Sequence, residues 1–124
     1  MIGTFNCLVI DCPEPRALAD FYEQLMGLDR VEESEEWVTL GDAALPPRIA
    51  LQRVAEFVAP DWQSSNAPQQ MHVDVLVENL DVAQVAVLSL GARLLDGSDK
   101  PIGYRVYADP VGHPFCLVTP EGLA

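Results

Sequence analysis

The feature that most constrains this chain is a repeat. The order strand, helix, short strands occurs twice, with Met26-Gly27 and Leu90-Gly91 ending the two helices, and the second copy starts about half-way along the 124 residues. A recurrence on that scale implies two supersecondary units. In the first, residues 6–12 (Asn-Cys-Leu-Val-Ile-Asp-Cys) read as a buried strand, with Leu8, Ile10 and Cys12 on one face and Cys7, Val9 and Asp11 on the other. Pro13-Glu-Pro15 ends it and opens a helix, since proline is tolerated in a first helical turn. Leu18, Phe21, Tyr22, Leu25 and Met26 then recur at helical spacing until Gly27 caps the end. Short strands are expected around 28–33, 36–41 and 48–54, with the acidic run Glu32, Glu33, Glu35 and Glu36 read as a solvated turn.

The second copy begins at 71–77, where His72, Asp74 and Leu76 share one face and Val73, Val75 and Val77 the other. A helix over about 80–90 is opened by Asn79 or Asp81 and closed by Gly91. Strands near 92–96, 103–108 and 115–119 complete it. Residues 55–70 lack periodicity and read as a crossover, on which Phe57 and Trp62 either line a pocket or pack against the body. The expected fold is α+β: two tandem βαβββ modules forming a cupped mixed β-sheet with the helices outside. One domain spans 1–124, with module one at about 1–54 and module two at about 71–124.

Composition narrows the function. Hydrophobic residues make up 49% and charged residues 21%, a globular balance. The net charge is −12, and the few arginines are scattered from Arg16 to Arg105. Nucleic acid and anionic membrane surfaces are therefore not expected partners, because both need a cationic patch. The acidity keeps the chain soluble, or its field attracts a cationic ligand. No apolar run approaches a membrane span. Residues 1–30 carry no secretory pattern, and Cys7, Cys12 and Cys116 are an odd, irregular set suited to reduced thiols, so a cytoplasmic location is expected.

Three stretches carry a family resemblance. Cys-Leu-Val-Ile-Asp-Cys-Pro-Glu-Pro-Arg-Ala-Leu-Ala-Asp-Phe-Tyr-Glu-Gln-Leu-Met-Gly (7–27) resembles the opening of a vicinal-oxygen-chelate module, of the glyoxalase, bleomycin-resistance and dioxygenase class. So does Gln-Gln-Met-His-Val-Asp-Val (69–75), followed by Gly-Ala-Arg (91–93). Tyr-Ala-Asp-Pro-Val-Gly-His-Pro-Phe-Cys-Leu (107–117) is similar to the Asp-Pro-x-Gly hairpin before that family's last strand. In order, the motifs cover nearly the whole chain and look most like the actinobacterial glyoxalase-like branch.

The resemblance implies two metal ligands per module, which fall here on Cys7 and Ala50, then His72 and Cys116. Ala50 has no donor, and Gln52, one pleat along, substitutes only if the strand shifts. The remaining Cys7, His72, Cys116 set suits Zn²⁺ in principle, but small buried apolar cysteines are the simpler reading. No cofactor is therefore expected, a divalent metal is disfavoured, and so is glyoxalase I chemistry.

His72 with Asp74 two residues along forms a candidate general base and its partner, or a pair that satisfies itself. On 103–108, Tyr104 and Val106 share a face, Arg105 and Tyr107 the other, and a one-residue slip decides which faces the cup. Trp37 has the same ambiguity, and His113 sits in a turn. The candidate ligand-binding residues are Trp62, Gln52, Cys7, Tyr104 and Cys116. Phosphate loops, dinucleotide fingerprints and Gly-x-Ser-x-Gly elbows are absent. Three functions follow: metal-free binding of a small organic molecule, cationic as in drug-binding relatives; a lyase, isomerase or dioxygenase using His72; or a partner module in a pathway. The resemblance also implies a homodimer.

Overall fold

Alternation in the first strand has the consequence expected of it. In the computed structural model, which describes residues 1–62, 67–97 and 103–123, β1 (Cys7–Cys12) buries Ile10 and Cys12 and leaves Val9 and Asp11 exposed. Helix α1 (Pro15–Met26) follows and packs on the later strands of the same sheet. Pro15 occupies its first turn, and Gly27 ends it at φ 65° with its N–H donating to the Glu23 carbonyl. Leu18, Ala19, Phe21 and Tyr22 are buried on β3 (Trp37–Gly41) and β4 (Arg48–Arg53). Each large side chain there contributes about 1.5–3 kcal/mol by leaving water.

β2 (Asp29–Glu33) completes a mixed sheet ordered β1-β4-β3-β2, in which only the β1–β4 pair is parallel. Arg30 on β2 reaches α1, where its Nη2 donates to Asp20 (2.8 Å) and Glu23 (2.6 Å). These elements form one compact unit, Met1–Phe57; the second is Val58–Ala124.

The second unit repeats the order: β5 (Val73–Leu76), α2 (Leu80–Ser89), β6 (Arg93–Asp96), β7 (Tyr104–Ala108) and β8 (Pro114–Val118). Its sheet, β5-β8-β7-β6, again pairs first and last strands in parallel. Asn79, rather than Asp81, caps α2 by accepting from the Val82 N–H at 3.0 Å. α2 buries Leu80 and Val87 but exposes Val82, Val85 and Leu88, unlike the amphipathic α1. No described helix is long and apolar enough to cross a membrane.

The register resolves the ambiguity in 104–107. Arg105 and Tyr107 pair with Leu117 and Phe115 and point to α2. There Arg105 donates to Asp81 (2.8 Å) and Gln84 (3.1 Å), and the Tyr107 hydroxyl donates to the same Gln84 oxygen (2.8 Å). The pair fastens a helix. Tyr104 and Val106 lie on the other face with Val118 and Cys116.

The acidic run also differs from expectation. Glu32 and Glu33 belong to β2, and a register shift between Arg30 and Glu32 turns Glu32 away from the helix to lie beside Thr39. Of the crossover, 63–66 lie outside the described residues; the rest carries one isolated bridge, Asp61 to Pro68.

Candidate functional site

Each sheet has one face against its helix and one turned away from it, the open face, where the candidate residues collect although Ala50 and Cys116 there are buried. In the first unit, register places Cys7 beside Arg48, Val9 beside Ala50, and Asp11 beside Gln52 on β1 and β4. Trp37 and Thr39 continue the face on β3, opposite Gln52 and Ala50. A cleft of about 330 Å³ opens here, with Asn6, Cys7, Glu32, Trp37, Thr39 and Arg48 among its walls.

A chain of hydrogen bonds fixes one wall: the Trp37 indole N–H donates to the Thr39 hydroxyl (2.8 Å), which donates to Glu32 (2.8 Å). Arg48 forms the opposite wall. Its guanidinium donates to the carbonyls of Asp42 (2.8 Å) and Ala43 (3.1 Å) and to the Asn6 amide oxygen (3.2 Å). Burial pushes the Cys7 thiol up, and the charge of Arg48 acts against that.

In the second unit, His72 Nε2 lies 3.3 Å from Asp74 Oδ1. Asp74 is paired across the sheet with Cys116, and the donor atoms of all three lie within 4.8 Å of one another. Burial, reinforced by the charge of Asp74 and a hydrogen bond with it, pushes the Cys116 thiol up to about 11. Trp62 packs on Val106, Cys116 and Val118, and its ring meets His72 edge to face at 5.8 Å.

The expected site residues thus fall into two groups: Cys7 and Gln52 on the first open face, His72, Asp74, Cys116, Trp62 and Tyr104 in the second unit. Sequence reading missed Arg48, Thr39 and Glu32. Trp37, Thr39 on one strand and Arg48, Ala50, Gln52 on another show the alternation of a shared face, but nothing in it names the face.

A divalent metal of the glyoxalase kind fits this donor set poorly. The first module offers, at the two ligand positions the resemblance implies, the Cys7 thiol and the methyl group of Ala50, which is fully buried. The second offers His72, Asp74 and Cys116, but donors sharing one tetrahedral Zn²⁺ lie roughly 3.3–3.8 Å apart given its bond lengths. The spread of up to 4.8 Å is wider, so the three would have to draw together to share an ion.

A family model described as a glyoxalase-like domain matches residues 7–118. The chain belongs to that family. Solved structures agree on the fold. A glyoxalase/bleomycin resistance protein/dioxygenase family enzyme from Burkholderia phytofirmans PsJN is 16% identical, with TM-score 0.71 over 94% of this chain and 98% of its own. A trypanothione-dependent glyoxalase I from Leishmania major is 10% identical (TM-score 0.69, 98% and 89% covered). A bleomycin-binding protein from Streptomyces verticillus, complexed with copper(II)-bleomycin, is 12% identical (TM-score 0.57, 96% and 98% covered). No curated protein sequence matches the chain. This glyoxalase-like domain therefore has the tandem βαβββ fold of enzymes and binding proteins alike, and its activity has to be argued from its own residues.

Proposed function

We infer that this glyoxalase-like domain binds a small organic molecule on the open face of its first sheet, without a metal of the glyoxalase I kind. The cleft between Trp37 and Arg48 carries the reading. It combines an indole, a carboxylate, a guanidinium and a thiol, and internal hydrogen bonds hold both walls before any ligand arrives. Preorganised polar groups beside an aromatic surface are what small-molecule recognition requires. The missing donor at Ala50 counts against the family's metal chemistry. A bleomycin-binding protein of the same fold makes ligand binding a use that this scaffold supports.

The test is a thermal-shift panel of cationic, anionic, zwitterionic and neutral organic molecules, with elemental analysis after exposure to Zn²⁺, Ni²⁺, Mn²⁺ and Fe²⁺ and dialysis. The expected result is a raised melting temperature with an organic ligand and no stoichiometric metal. Retained metal that disappears in His72→Ala would overturn the metal-free reading.

A second reading is an enzyme with His72 as general base. The 3.3 Å contact with Asp74, which would orient the ring, favours it. It requires His72→Ala to abolish a turnover that the wild type performs.

A further inference from the structure

The geometry points to the class of ligand: a small zwitterion, with its anionic group on Arg48 and its cationic group against Glu32 and Trp37. This rests on the small-molecule reading above and deepens it. Arg16, Arg30, Arg53 and Arg105 all pair with carboxylates. Arg48, in a chain of net charge −12, bonds only neutral oxygens among the described residues. Three of the five N–H donors of a guanidinium are thereby used, so the described residues hold the group in place and leave its charge and two donors unspent.

Its stem passes over Gly41, where an added Cβ would lie 3.1 Å from Arg48 Cγ. Across the cleft, Thr39 engages Glu32 Oε1, while Oε2 bonds no described residue. Trp37, locked by the same chain, offers its ring to a cation.

A purely anionic ligand would be repelled by Glu32, and a purely cationic one by Arg48. A molecule with both charges satisfies each wall. The charges must also be separated, because Glu32 on β2 and Arg48 on β4 have β3 between them, setting their backbones about 10 Å apart across the sheet. That span suits an amine and a carboxylate joined by several methylenes better than an α-amino acid.

The experiment titrates 6-aminohexanoate, hexanoate and hexylamine into the full chain by calorimetry. Fluorescence is read in Trp62→Phe, which leaves Trp37 as the one indole of the two. The expected result is binding of 6-aminohexanoate at least tenfold tighter than either singly charged probe, with a change in Trp37 emission. Glu32→Gln, which keeps the acceptor for Thr39 but removes the charge, should abolish the advantage over hexanoate. Arg48→Gln should abolish the advantage over hexylamine, with folding checked by melting temperature. Equal binding of the three probes, or an advantage that survives both substitutions, overturns the assignment. A melting shift with other organic molecules but no binding of 6-aminohexanoate also overturns it and leaves the small-molecule reading standing. No shift with any compound sinks both.

Discussion

The two units build the same strand–helix–strands order and close their last hairpins differently. In the second, residues 109–113 wrap around a single carboxylate: Asp109 Oδ1 accepts from the N–H groups of Val111 (2.9 Å), Gly112 (2.9 Å) and His113 (3.0 Å), and Asp109 is 1% exposed. In the first, the equivalent Asp42 accepts from Ala44 (2.7 Å) and Leu45 (3.3 Å) in an exposed loop, and Arg48 gathers the carbonyls left over. A turn closed by its own side chain is scaffold. A turn opened by a few residues needs an outside donor, and that donor becomes a charged wall of the cleft. The same supersecondary unit thus supplies stability in one copy and a candidate site in the other.

The sharpest way to break this comparison is to remove the two aspartates. Asp109→Ala leaves three backbone N–H groups of a half-buried turn without their buried acceptor and should cost about 2–3 kcal/mol in urea unfolding. Asp42→Ala, whose freed groups meet water, should cost at most about 1 kcal/mol. Equal losses would mean that the two turns do the same job.

Next come the arginines that fasten each helix. Arg105 is 2% exposed, and its removal loses a buried stem as well as the bonds to Gln84 and Asp81. Arg105→Ala should cost about 2–3 kcal/mol and Arg30→Ala, more open to water, about 1 kcal/mol, both by chemical denaturation. The reverse order would put the more important clamp in the first unit.

The smallest effect separates the two thiols on the open faces. Both are raised by burial, but Arg48 opposes the shift at Cys7 while Asp74 adds to it at Cys116. Cys7 should therefore react faster with iodoacetamide at pH 8, and Asp74→Asn should speed labelling of Cys116. Because the folded thiol of Cys116, at about 11, lies above its ordinary value of 9.0, the folded state holds its proton longer than the unfolded chain. Its contribution is fully present below about pH 9 and lost as pH rises to about 11, a fall that Cys116→Ala should remove. A flat stability profile over that window would contradict the burial argument.

Much of the fold was legible in the residues. Pro15 and Gly27 bound the first helix, Asn79 opens the second, and period-two alternation sorts β1 and β7 into two faces, while register shifts interrupt it in β2 and β6. The family followed from the Asp-Pro-x-Gly turn and the two strand–helix openings, because motifs in order over most of a chain are harder to produce by chance than any one alone. The candidate site was legible only in part. His72 and Asp74 share a face by spacing, and their contact follows from it. Glu32 was hidden in an acidic run, and Arg48 and Thr39 were not picked out.

The sequence alone determined the elements, their order, the repeat and the absence of a donor at Ala50, since these depend on neighbours in the chain. Only tertiary structure decided that Arg105 and Tyr107 serve α2 while Tyr104 faces away, that a register shift delivers Glu32 to Thr39, and that Trp62 covers Cys116 and His72. Alternation sorts residues into two sets, but which set meets the helix depends on strand pairing between segments far apart in sequence. No local pattern carries that information.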